Sequence, residues 1–346
     1  MNRRIALLVT VAIAASCSTT SAQVPGPQGP GGLPKPTTQA AWVAAVQAAL
    51  TRCYIAQFDP STTITIATPV VLTATDCGQQ PRGLNGNGMS ITSTINNGAD
   101  VITLTTSSAS RGLVFGNFHV FGGTYSGLAS GNCLSIVAAK NRPIYKGTFA
   151  NIYTDSCGKN GVSIVGDVYE SLVDNIQSEN NNGDGLFTNS GADGGVLSNL
   201  IVRSPNLSRN QGYGLHHGSP GGSLDIVAGG SFINNWLGGV LCENGCRTVE
   251  NINCENSGPI CVSMPWSAYP VRISGVNATS DGGVKGTSAA SGVLKYTILY
   301  HGPATNLIGG TNAPQTPTNI GGWAQGTNYI TPEGNNTSAN IAVFAP

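Results

Sequence analysis

Residues 151–188 read NIYTDSCGKNGVSIVGDVYESLVDNIQSENNNGDGLFT, and the stretch repeats itself. Asn151-Ile152 returns 24 residues on as Asn175-Ile176, and Gly161-Val162-Ser163-Ile164 returns at the same interval as Gly185-Leu186-Phe187-Thr188. Working outward, Asn199-Leu200 extends the first marker by another 24, and Asn251-Ile252 falls 52 later, close to two further turns. The second marker continues at Gly214-Leu215-His216-His217 and Gly239-Val240-Leu241-Cys242, after spacings of 29 and 25. A unit this short cannot bury its own apolar face and must stack on its neighbours. Short strands between Asn/Gly turns at this period predict an all-β chain wound as a right-handed parallel β-helix. Alternation along each strand turns Val162, Ile164, Leu186, Leu215 and Val240 inward, while Ile152, Ile176, Leu200 and Ile252 stack on another face. The recurring Asn suits turns that need left-handed backbone and lets side-chain amides bond along the stack.

Earlier coils are expected over Ile91 to Thr105, Leu113 to Val120 and Leu134 to Val137, and the last ones begin at Val271-Arg272-Ile273 and Val293 to Leu299. Ahead of them, Thr38 can cap a helix running to Arg52, with Ala41, Val43, Ala44, Val46, Ala49 and Leu50 as its apolar face. Residues 23–37 form a Pro/Gly-rich linker with three Gly-X-Y triplets, too few to hold a collagen triple helix; trimerisation through them has little else behind it. Arg3 and Arg4, an apolar run from Ile5 to Ala15 and the small residues Thr20-Ser21-Ala22 have the three regions of a secretory signal over 1–22. Lipidation at Cys17 is the competing reading, although the leucine that opens a lipobox is missing. The apolar run is too short to span a bilayer, and no later one is longer. Residues 301–346, rich in Gly, Asn, Thr and Pro, are expected to follow the β-helix (38–300) and to fold over its open end, where strand edges would otherwise be exposed.

Apart from Cys17, eight cysteines remain: Cys53, Cys77, Cys133, Cys157, Cys242, Cys246, Cys254 and Cys261. An even number in an exported chain points to disulfides. Cys133 with Cys157, 24 apart, is expected to join adjacent coils, and Cys53 with Cys77 to pin the helix as a cap. The pairing of the last four is open, and Cys242-x3-Cys246 could otherwise be half a zinc site, though no histidine lies near Cys254 and Cys261. Lys plus Arg and Asp plus Glu number 16 each, only 9% of the chain, so nucleic acid and anionic membrane are poor partners.

The helix, the strands that follow and Leu84-Asn85-Gly86-Asn87-Gly88-Met89-Ser90-Ile91, with the Asn/Gly-marked coils after it, resemble the pectate-lyase-like superfamily of right-handed β-helices over roughly residues 38–300. The resemblance implies a polysaccharide ligand, handled by a lyase, a hydrolase, an epimerase or a non-catalytic binding or adhesion protein. It also implies calcium if the chain is a lyase of the pectate type; otherwise the cofactor is unspecified. Subfamily motifs depart from the pattern. Leu215-His216-His217-Gly218 is a faint echo of a Gly-His-Gly element, no adjacent Asp pair exists, and Arg203-Ser204-Pro205-Asn206-Leu207-Ser208-Arg209 is one residue longer than the Arg-x-Pro-x-x-Arg element beside a calcium site.

If the Gly-Val-x-Ile strands form the ligand face, Ser163, Phe187, His216 and Leu241 point outward on successive coils, with Glu243 two residues beyond. The turns leading in add Lys159, Asp184, Tyr213 and Trp236. Aromatic faces stack sugar rings and polar edges bind their hydroxyls, so Phe187, Trp236, Lys159 and Arg247 are the expected ligand-binding residues. A hydrolase would place carboxyl groups on both sides of the scissile bond, for which Asp184 and Glu243 are the pair. A lyase or epimerase would need a base such as His216, Tyr213 or Lys159 and a cation such as Arg247. Each residue also has a plainer role: Asp184 in an Asn-Gly-Asp-Gly turn, Glu243 solvating a disulfide loop, His216 as a surface histidine, Phe187 and Trp236 covering the core edge.

Overall fold

The computed structural model describes residues 32–123, 130–191, 195–218, 224–243, 246–258, 260–264, 272–279, 296–303, 308–309, 320–325 and 341–343. The expected signal, Cys17, the first two Gly-X-Y triplets, Val271 and Val293 lie outside them. No described helix is long and apolar enough to cross a membrane.

The chain is a right-handed parallel β-helix with one helix near its N-terminus. Among the described residues, three sheets run along the rod. Sheet I contains Val70–Ala74, Ile102–Thr106, Leu134–Ala138, Val162–Gly166, Leu186–Asn189, Tyr213–His217, Gly238–Cys242 and Ile260–Met264, and its described strands continue to Ile341–Val343. Sheet II carries two lanes per coil, for example Leu172–Asp174 and Gln177–Glu179, joined at a single left-handed residue. Sheet III is short, pairing Ser110–Arg111, Ile144–Tyr145, Val168–Tyr169 and Leu197–Ser198. Beyond residue 303, Ile308–Gly309, Ile320–Gln325 and Ile341–Val343 pair in parallel as further rungs of sheets II and I.

The Gly-Val-x-Ile marker reads the register of sheet I: Val162 pairs with Leu186, Leu186 with Leu215 and Leu215 with Val240. All four are fully buried, as is Ile164, and complete burial of such a side chain is worth about 1.5–3 kcal/mol. The marker glycines face a crowded interior. A Cβ on Gly185 would lie 2.8 Å from the Asn210 amide and from the Gly214 carbonyl.

The Asn-Ile marker misleads at one coil. Asp174 pairs with Arg203, so the rung above Asn175 is Ser204, and Asn199 instead follows Ser198 to stack above Glu170. Val165 and Val168 pair with Asn189 and Leu197, three residues apart on one coil and eight on the next, so five residues are inserted there. Two different corners both demand positive φ, 49° at Asn175 and 56° at Asn199, and asparagine tolerates both. Where the column is continuous the amides do bond along it: Asn117 donates to Asn85, Asn151 to Asn117 and Asn175 to Asn151, at 2.8–3.0 Å. A second, wholly buried ladder runs through Asn181, Asn210, Asn235 and Ser257.

The helix spans Gln39–Arg52, with the Thr38 hydroxyl accepting from the Ala41 N–H at 3.2 Å. Its buried face is Trp42, Val46, Ala49 and Leu50. Ala41 and Ala44, expected inward, are exposed, because the large Trp42 ring takes the inward arc that two alanines would fill poorly. Four disulfides are formed: Cys53–Cys77, Cys133–Cys157, Cys242–Cys246 and Cys254–Cys261. The second bridges neighbouring coils diagonally. Leu134 pairs with Val162, so the rung mate of Cys133 is Gly161 and the bond reaches back to the preceding corner.

Candidate functional site

Outward along sheet I, Ser163, Phe187, His216, Leu241 and Ser263 occupy one column on successive rungs. The residue just before each marker glycine forms a second column beside it: Asn160, Asp184, Tyr213 and Gly238. These columns meet around His216. Its Nδ1 lies 2.9 Å from Asp184 Oδ2, and its Nε2 lies 3.4 Å from Glu243 Oε1. A carboxylate has only acceptors, so Nδ1 carries the proton shared with Asp184, while Nε2 is buried beneath Glu243.

Each neighbour is fixed by the fold. Asp184 Oδ1 accepts from the Tyr213 N–H at 2.7 Å, and the Asp184 N–H donates to Asn160 Oδ1 at 2.8 Å. Asn160 in turn donates its N–H to Asn132, and Asn132 to Asp100, so Asp184 ends a ladder of side-chain acceptors four coils long. The turn role expected for Asp184 is therefore real and sits alongside its contact with His216. Phe187 meets the His216 ring edge-on at 5.1 Å, and Tyr213 is tilted against it at 5.7 Å. The Tyr213 ring lies over Gly238, where a Cβ would come within 2.9 Å of two ring carbons. Glu243 follows Cys242, donates its N–H to the His217 carbonyl, and reaches His216 diagonally across one rung.

The cluster is shielded: the side chains of His216 and Asp184 are 20% and 13% exposed, and that of Glu243 45%. Burial of His216 disfavours its charged form, but the hydrogen bond and charge of Asp184, together with Glu243, outweigh it and raise the imidazole above its ordinary value. Burial first, then the charges of Asp184 and Glu243, raise the Tyr213 phenol. Tyr213 therefore stays protonated and can donate.

The structure thus brings together Asp184, Tyr213, His216, Glu243 and Phe187. Lys159 is exposed in the turn one coil below, where its carbonyl accepts from the Gly183 N–H. Trp236 is half-buried in the turn one coil above Asn210, to whose carbonyl it donates its N–H. Arg247 is not brought in: the Cys242–Cys246 loop turns the corner, and Arg247 lies on sheet II, 3.5 Å from Asp225. The Arg203…Arg209 stretch is also on sheet II, with Arg203 on Asp174 and Arg209 on Glu179. His217 points into the core, 2.9 Å from the Thr188 hydroxyl. Asn160 and Gly238, which position Asp184 and Tyr213, were passed over in the sequence. Their signal is their place immediately before a marker glycine.

Calcium requires six to eight oxygen ligands, and this cluster does not supply them. Both Asp184 oxygens are engaged, Glu243 is the remaining carboxylate, and among the described residues no group of three His, Cys, Asp or Glu side chains is arranged to hold a metal ion.

No family model matches this sequence, and no curated protein matches it. Solved structures similar to it include the A-module of Azotobacter vinelandii mannuronan C-5 epimerase AlgE4, 14% identical over 91% of this chain and 94% of that one, with a TM-score of 0.34. The AlgE6 A-module from the same organism is 14% identical over 91% and 96%, with a TM-score of 0.28. The catalytic domain of a GH87 alpha-1,3-glucanase in complex with nigerose is 11% identical over 92% of this chain and 69% of that one, with a TM-score of 0.32. At these values the chemistry must be argued from this chain's own residues.

Proposed function

We propose that this is a secreted glycan-acting β-helix enzyme that cleaves a uronate-containing polysaccharide by β-elimination along sheet I. The observation that carries this reading is the imidazole of His216 lodged between Asp184 and Glu243. A two-carboxylate hydrolase needs sugar or water in the gap between its carboxyl groups, and here a histidine ring fills it. A histidine oriented by a carboxylate through Nδ1, with a neutral phenol alongside, instead fits proton removal at one atom and delivery at another. His216 Nε2, buried beneath the half-exposed Glu243 side chain, is uncovered when that side chain moves aside and takes the proton beside the uronate carboxylate; the C4–O bond breaks as the C4=C5 double bond forms, and the Tyr213 hydroxyl protonates the departing oxygen. Phe187 offers a ring for the neighbouring sugar, and Lys159, in the turn below, is the nearest cation among the expected ligand-binding residues. Four disulfides are in keeping with an oxidising compartment.

A second reading, glycan binding without turnover, draws on the same column, where Phe187 offers a ring and the half-exposed Glu243 an acceptor for sugar hydroxyls. A panel of uronate and neutral polysaccharides separates the two, following the absorbance of unsaturated ends and the appearance of reducing sugar together. Unsaturated ends are expected from polyuronate. Reducing sugar without unsaturation would identify a hydrolase, and binding with no product would leave a binding protein. Full activity retained in His216→Ala, Asp184→Asn and Glu243→Gln alike would place the chemistry on another face.

A further inference from the structure

A different face of the rod carries a second set of groups suited to sugar. In the second lane of sheet II, Tyr153, Gln177, Asn206, Ser231 and Asn253 pair in register on five successive coils and point away from the core. Strands in a sheet are about 4.8 Å apart, close to the length of one pyranose residue, so a polysaccharide lying along the rod would meet one such side chain per sugar.

What sets Gln177 and Asn206 apart is where their hydrogen bonds go. The other amide columns are satisfied internally, Asn85 through Asn175 on the outside and Asn181 through Asn235 in the core. Gln177 and Asn206 are exposed, and their amides bond no other side chain among the described residues. At one end the column meets aromatic rings: His119 and Phe121 stand edge-on to Tyr153 with centroids 4.9 and 6.0 Å away. The Tyr153 hydroxyl is held by Glu179, which also takes the Ser208 hydroxyl at 3.4 Å and Arg209 at 3.8 Å. The ring is therefore a fixed platform, of the kind that stacks on the apolar face of a sugar. Asp155, Glu179 and Glu255 line the neighbouring column of this lane, with Arg209 beside Glu179, so the carboxylates outnumber the cations among the described residues of the lane and disfavour a polyanion.

We propose that this lane is a binding strip for a neutral, hydroxyl-rich polysaccharide, separate from the His216 cluster and able to anchor the protein to a matrix different from its substrate. Affinity electrophoresis of the full chain through gels containing xylan, glucomannan or polygalacturonate tests it. Wild type is expected to be retarded by at least one neutral polymer and not, through this face, by polygalacturonate. The Gln177→Ala/Asn206→Ala double variant changes only exposed side chains and is expected to bind the neutral polymer about tenfold more weakly. Tyr153→Ala should lose more, with the sheet I reaction unchanged in both. Wild-type affinity in the double variant would overturn the proposal, as would no retardation by any neutral polymer. Because the readout is binding, it stands or falls independently of whether sheet I catalyses elimination.

Discussion

His216 is bracketed by two carboxylates, and its titration follows from that. An unperturbed imidazole titrates near about 6.5, and the folded ring lies above this. As a base it must be neutral, so product formation should rise with pH through an inflection above the ordinary histidine value. Glu243→Gln should move that inflection downward, and an unchanged pH profile would remove Glu243 from the account. The same shift has a stability consequence. The raised group's contribution is fully present below the unfolded value and is lost as pH rises through the folded one, which urea midpoints on either side of that window would show. Tyr213→Phe keeps the ring and removes the donor, so a loss of about a hundredfold in turnover with little change in binding is expected. At this scale the sequence was readable where strand alternation and the marker glycine governed position, as for Phe187, His216 and Asp184. It was not readable for Arg247, because the chain passes from sheet I at Cys242 to sheet II at Cys246 within the span of one disulfide.

Each coil is held in register by polar ladders as well as by its apolar core. Replacing Asn210 with Ala leaves the Asn181 amide short of its acceptor and opens a gap to Asn235, which should cost about 1–3 kcal/mol in thermal or urea unfolding. At Gly238 the added methyl of Ala would meet the Ile260 carbonyl at 2.7 Å as well as the Tyr213 ring at 2.9 Å, so urea unfolding should show a loss of stability along with any loss of activity, and unchanged stability would contradict this packing. The elements also explain how a correct period can give a wrong partner. The sheet I marker followed the true 24, 29 and 25 residue coils because its glycine is required by crowding in the interior. The Asn marker tracked only a backbone conformation that several corners share, so Asn199 kept the count of 24 while belonging to a different corner from Asn175.

Across the whole rod, stability is a sum over coils and their interfaces, and the covalent ties sit at particular joints. Cys53–Cys77 fastens the helix that buries Trp42, and Cys133–Cys157 joins the coils below the His216 cluster. Replacing Cys133 and Cys157 together with serine should lower stability by about 2–4 kcal/mol, while the ladder that orients Asp184 keeps the geometry of the His216 cluster at low temperature. The fold was legible from composition, the marker glycines and the cysteine spacing. The reaction was not, because hydrolase and lyase readings used many of the same residues, and the proposed elimination rests on the placement of the imidazole between Asp184 and Glu243. The most direct measurement is therefore the absorbance of unsaturated ends during incubation with polyuronate, comparing wild type with His216→Ala while polymer binding is measured in parallel. Elimination by wild type, abolished in the variant with binding retained, is the predicted result. Equal elimination by both proteins, or none by wild type across the polyuronates, would contradict the account.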